Sequence, residues 1–231
     1  MSTEVPPARG HAEAATDIQI LATEHWSLLA TRALTYNEAL SRVTIFLAIL
    51  SGALIALALV AQADHFGRTF ISIAIPMLLV VMFTGLATIS RLQTLNGDDY
   101  RWVIAMNRLR HGYLELRPDL ERYFTTSPYD DLAGALETLG VDVSASRRLG
   151  SMFHVPQTLP GMLTVIVAAV AAAIGALAAL AIGVAALAIA VVAAVVFVLA
   201  LGVMQIWGRQ SIKHFPPSLQ PRFPSSSGKR G

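Results

Sequence analysis

The chain contains no cysteine, which excludes disulfides, c-type haem attachment and thiolate metal sites. Charge is also scarce. Asp, Glu, Lys and Arg make up 14% of the 231 residues, against about 25% in an ordinary soluble domain. In the longest apolar runs, ionisable side chains are missing away from the ends. That counts against proton-coupled transport, which needs a titrating group at membrane depth. The chain has no glycine-rich phosphate loop, no serine-nucleophile motif and no HExxH pair, so catalysis has no support. No catalytic residue, cofactor or metal is assigned, and a non-enzymatic protein is expected.

What is present is apolar length. Met162 to Met204 holds no charged residue. At about 1.5 Å per residue it is too long for one crossing of a bilayer and suits two. Val43–Ala63 and Thr69–Ser90 are each long enough to cross once. The expected fold class is an all-α integral membrane protein. Its four transmembrane helices, at 43–63, 69–91, 161–181 and 184–207, pair as two hairpins. The residues before Val43 are polar or amphipathic, and the first apolar run is too long for a cleavable signal. Val43–Ala63 therefore reads as a retained anchor.

Basic residues orient the chain. Three lie in residues 1–42, eight in 91–158 and five in 208–231, and one lies between the first two spans. With both termini and the middle segment cytoplasmic, 16 of the 17 basic residues are inside, which the positive-inside rule favours. The expected location is the inner (plasma) membrane, multi-pass, with nearly all non-membrane mass on the cytoplasmic side.

Residues 1–12 read as a disordered tail. Residues 13–42 read as a cytoplasmic helix continuous with the first span, since neither Pro nor Gly occurs from Ala12 to Ser51. Ala22, Trp26, Leu29, Ala33, Tyr36 and Leu40 recur at four and three, a heptad-like stripe. Trp102, Met106, Leu109, Tyr113 and Leu116 repeat the pattern in the cytoplasmic helical segment 92–158. Packing the two stripes on each other, or on further copies, buries both and predicts a helical bundle. Pro76 falls inside the second span and predicts a kink. Asn96-Gly97-Asp98 is either a break capped by Asp98 or part of a continuing helix. Arg117-Pro118 ends that helix. Asp130 to Leu139 reads as a short helix closed by Gly140, and residues 140–158 as loop. Residues 208–231 carry four prolines and a serine run and read as a basic disordered tail. Its five basic residues and lack of acids suit anionic headgroups.

Few groups remain as candidate sites. Ser51, Ser72, Thr84 and Thr88 are the candidate pore or helix-contact polar residues. Such hydroxyls also bond their own helix carbonyls without any ligand. Arg108, Arg110, Arg117 and Arg122 are candidate anion contacts, because guanidinium forks match oxyanions. The competing reading is that they neutralise nearby acids. Residues 91–158 carry eight Arg and nine acids, so no basic patch for nucleic acid exists there. His111 and Glu115 have the spacing of two metal ligands but no third. Asp98-Asp99 and Asp130-Asp131 read as caps. Ala171, Gly175, Ala179 and Gly183 lie four apart and would let two helices approach closely.

Glu24 to Arg32 (EHWSLLATR) and Met106 to Glu115 (MNRLRHGYLE) resemble a group of uncharacterised bacterial, actinobacterial-type, four-span integral membrane proteins. The resemblance covers about residues 20–140 and implies no activity. More loosely, a cytoplasmic helix running into a two-span hairpin resembles SLATT effector modules, for which a pore in nucleotide-triggered systems is proposed. This chain departs from them by its second hairpin. The expectation is an oligomeric channel or pore gated from the cytoplasm, or alternatively a scaffold recruiting a cytoplasmic partner through its helical bundle. The expected partners are the lipid bilayer, further copies of the chain, and a cytoplasmic protein or nucleotide ligand.

Overall fold

The computed structural model describes residues 10–140, 158–211 and 219–225. The expectations for residues 1–9 and for the connector 141–157 lie outside the described residues. All regular structure among the described residues is helical: α1 (His11–Asp64), α2 (Arg68–Leu116), a 3-10 helix (Pro118–Tyr123), α3 (Leu132–Thr138), α4 (Leu159–Ala181) and α5 (Ala186–Ser211). Four of these, α1, α2, α4 and α5, are long and apolar enough to cross a membrane.

α1 is 54 residues long and passes from polar to apolar sequence without a break. It ends at a tight turn. The Asp64 carbonyl accepts the Gly67 N–H at 2.9 Å, and the Asp64 carboxylate accepts the Phe70 N–H at 2.7 Å. His65 and Phe66 take left-handed backbone (φ 47° and 60°) to close it, a conformation that costs a non-glycine residue about 1–2 kcal/mol. α2 runs through both Pro76 and Asn96-Gly97-Asp98. The alternative of a break there therefore does not occur, and Asp98 is not a cap.

The chain divides into two compact units that share α1 and α2. The first, polar unit takes α1 up to Thr35, α2 from Asp98 onward, the segment through Gly140, and Leu219–Ser225. Here the expected packing stripe of α1 proves to be rotated. Trp26 is 69% exposed, and Leu29 and Ala33 are also exposed. The seam is formed instead by residues one position earlier. Leu28 is buried, Leu21 lies against Gly112, His25 stacks on Tyr113 and Arg32 pairs with Asp99. A shift of one residue turns a helix face by about 100°. The cause is the polar pairs. They occupy seam positions that an apolar pattern search rejects. A separate small core joins Val103, Ile104 and Ala135, with Tyr100, Leu139 and Leu219 packed on it.

The second, apolar unit holds Tyr36 to Gly97 with α4 and α5. Phe46, Val81, Ile89, Leu92, Leu163 and Val167 are its largest fully buried side chains. Gly85 sits where Phe46 and Val167 converge. Outside the apolar spans, Glu38 is shared by Arg42 and Arg91, both Nε atoms at 2.9 Å. Those two guanidinium groups, Arg91 first, hold its carboxyl at about 2. In this unit Tyr36 and Leu40, the rest of the expected stripe, are exposed too. Gly175 faces Val192 and Val196 of α5, allowing close approach. Ala179 is buried. Gly183, expected on the same helix face, lies beyond the end of α4, at φ +74° in the turn to α5. It is needed there because glycine adopts left-handed backbone without cost. Of the apolar helix Ala186–Gly208, only 6% of the most apolar stretch is buried.

Candidate functional site

Among the described residues, the buried polar side chains of the polar unit are Asn107 and Arg110 on α2 and Ser127, Asp130, Asp131 and Ser225 outside it. Asn107 is fully buried. Its Nδ2 donates to the Tyr129 carbonyl at 2.8 Å, and its Oδ1 accepts from Arg110 Nη1 at 2.6 Å and Thr138 Oγ1 at 3.0 Å. One amide thus ties α2 to the loop before α3 and to the end of α3 itself. Buried amides need such partners, because an unpaired one costs about 1–3 kcal/mol.

Next to it, Arg108 Nε donates to Asp130 Oδ2 at 2.7 Å and Nη2 to the Gln220 carbonyl at 2.8 Å. Asp130 also accepts the backbone N–H groups of Arg222 (2.9 Å) and Phe223 (2.8 Å). Burial by itself raises the Asp130 pKa, but these N–H groups and the Arg108 guanidinium outweigh it, and the carboxyl stays below its ordinary range. Asp131 behaves alike. Desolvation is opposed by the Ser225 hydroxyl and by the Gly134 and Ser225 N–H groups, and the net shift is downward. Asp131 is the N-cap of α3, accepting from Gly134 N. The expectation of Asp130-Asp131 as caps therefore holds for Asp131, whereas Asp130 binds the C-terminal segment.

Leu219–Ser225 departs from the expected disordered tail. It docks on this acidic pair as a strap, with the Phe223 ring stacked on His111 at 4.0 Å. Sequence reading missed it because the segment has no periodic pattern. Its docking uses backbone N–H groups, which every non-proline residue carries. The remaining tail positions, 212–218 and 226–231, lie outside the described residues.

The candidate anion contacts do not converge. Arg108 binds Asp130 and Gln220, Arg117 binds Asp119 at 2.8 Å, and Arg122 lies over the Tyr123 ring. Arg110 alone is buried (8% exposed). Desolvation, and then the charge of Arg32, push its pKa down. His111 and Glu115 are 3.6 Å apart, and among the described residues no group of three or more carboxylate or imidazole side chains is placed to hold a metal. Ser72, Thr84 and Thr88 donate to the carbonyls of Thr69, Val81 and Thr84 in their own helix. Ser51 is exposed. Trp102 Nε1 is buried without an acceptor among the described residues, and nothing in the structure explains it. A shallow cleft of about 530 Å³ lies beside α1, lined by Gln19, Ile20, Glu24 and Leu109 among others.

No family model matches the chain, and no curated protein or solved structure matches it either.

Proposed function

We propose that this is a non-enzymatic protein of the inner membrane that assembles into a homo-oligomeric channel or pore gated from the cytoplasm. Its spans pair as two hairpins, and the polar unit lies on the cytoplasmic side with both termini. The observation that carries the reading is the exposed heptad stripe of α1. Trp26 and Leu29 in the polar unit, and Tyr36 and Leu40 in the apolar unit, are all more than 40% exposed. Apolar side chains at four-and-three spacing are the form of a helix that packs on another copy. Apolar helices without titrating groups suit a pore with hydroxyl or apolar constrictions rather than a proton-coupled carrier. The likeness of the first half to SLATT modules points the same way.

The second reading is a scaffold that uses the same stripe to recruit a different protein. Planar-bilayer recording on oligomers of verified mass separates the two. Discrete conductance steps support the pore. Silent oligomers that co-purify with a stoichiometric second protein support the scaffold. Because the chain has no cysteine, single cysteines at His65 and Asn96 report topology directly. Membrane-impermeant labelling of His65→Cys from outside, and of Asn96→Cys only after lysis, is the expected outcome.

A further inference from the structure

We propose that Arg110 is the floor of a binding site for a small oxyanion, of phosphate or carboxylate type, in the seam between α1 and α2 of the polar unit. Asp99, Val103, Met106, Arg110 and Tyr113 recur at four and three along α2. Two of them meet α1 directly: Asp99 binds Arg32 at 2.6 Å and Tyr113 stacks on His25. Met106, between them on this face, is buried, and Val103 packs into the small core with Ile104 and Ala135. Arg110 shares the face and is itself more than nine-tenths buried.

Among the described residues its charge has no carboxylate partner. A guanidinium carries five N–H donors and stays protonated in proteins. Here one nitrogen meets the neutral Asn107 amide, and no carboxylate among the described residues pairs with the rest. Asp99, the acid on this face, is occupied by a two-pronged pair with Arg32 at 2.6 and 3.3 Å. The other neighbours make matters worse for a lone cation. Arg32 repels it, and Arg110 in turn disfavours protonation of His25, whose burial acts in the same direction. A buried charge is ordinarily paired or neutralised. An arginine keeps its proton, so an anion is the ligand class that would compensate its charge. A guanidinium fork selects an anion presenting two oxygens side by side. Arg108, Arg117 and Arg122 do not serve, since each already has a partner in the structure. This proposal is independent of the channel reading.

The test is calorimetric titration of the full-length protein in detergent with inorganic phosphate, and separately with acetate, at constant ionic strength in sodium chloride. One saturable site for at least one of the two is expected. The two arms distinguish phosphoryl from carboxyl ligands. Arg110→Gln keeps a donor for Asn107 and should weaken binding at least tenfold. Arg110→Lys should weaken it less, and Arg117→Gln, at an exposed pair, should leave it unchanged. In the unaltered protein, saturation should shift the ring nitrogen resonances of His25. Absence of saturable binding by both anions, or an Arg110→Gln protein with native circular dichroism that binds as before, would overturn the proposal. If Arg110→Gln does not fold, the His25 resonances decide. No shift at saturation places the anion elsewhere and overturns it equally.

Discussion

Ser225 and Asp131, 94 residues apart in sequence, meet through two hydrogen bonds to one oxygen. The Ser225 hydroxyl donates to Asp131 Oδ2 at 2.6 Å, and the Ser225 backbone N–H donates to it at 2.9 Å. The other oxygen of the same carboxylate caps α3. A single side chain thus starts a helix and holds the strap.

Removing the carboxylate should therefore cost more than removing the hydroxyl. Asp131→Ala loses an N-cap, about 1 kcal/mol, and two hydrogen bonds to a charged acceptor, about 1.5–3 kcal/mol each before relaxation. Ser225→Ala loses one of those bonds and keeps the backbone contact. Amide hydrogen exchange at Phe223 and Ser225 reads the difference. Faster exchange in Asp131→Ala than in Ser225→Ala is expected, and equal rates would show that the strap is held by other contacts.

The same contacts set a direction for pH. Asp130 and Asp131 both have folded-state pKa values below the ordinary carboxylate range of about 3.9. Their contribution is complete above that unfolded value and is lost as pH falls through the depressed folded one. Strap protection should thus be flat from neutral pH down to about pH 5 and fall only in stronger acid. Proteolysis of the Leu219–Ser225 segment, or its amide signals, followed against pH checks this. Release already at neutral pH would show that the two carboxylates do not hold the strap.

Glycine substitutions in the apolar unit should divide by location. A Cβ at Gly85 would collide with the Val167 side chain and lie 3.0 Å from Phe46 Cε2, whereas at Gly202 it would meet nothing within 4 Å. Overpacking of this kind costs about 1–3 kcal/mol. At the open site, replacing glycine with alanine inside a helix gains about 0.5–1 kcal/mol. Thermal unfolding in detergent should show Gly85→Ala below the parent and Gly202→Ala at or above it.

Assembly should depend on the outward stripe and folding on the inward one. Trp26→Glu and Leu29→Glu place charge on an exposed face and should lower the oligomer mass measured by light scattering while helical content is kept. Leu28→Glu buries an unpaired carboxylate in the seam, which destabilises by several kcal/mol, and should unfold the polar unit. An unchanged mass in both exposed variants would remove the stripe from the interface.

Much of the architecture was legible in the primary structure, and the site was mostly not. The unbroken α1, the end of α2 before Pro118 and the short α3 closed by Gly140 all follow from local chemistry: absence of breakers, proline geometry and a capping aspartate. The seam was misplaced by one residue in α1, whereas in α2 the expected Met106 and Tyr113 do lie on the seam face. Hydrophobic periodicity scores His25, Arg32, Asp99 and Arg110 as surface, yet the first two lie in the α1 seam and the last two on the facing side of α2. They are tolerated there through pairing and stacking, which an apolar count does not see. Arg110 was among the candidates, but in sequence nothing separated it from Arg117 or Arg122.

By itself the sequence determined that the chain is helical and that four of its helices can cross a bilayer. Both properties are sums over neighbouring residues, of rise, propensity and transfer free energy. Only tertiary structure decided which face of α1 turns inward, that Leu219–Ser225 is held, and that one arginine is buried without a carboxylate. Each of these depends on where a distant partner lies. Asp99 reaches back 67 residues to Arg32 and Asp131 forward 94 to Ser225, and no local pattern encodes a pairing over such separations.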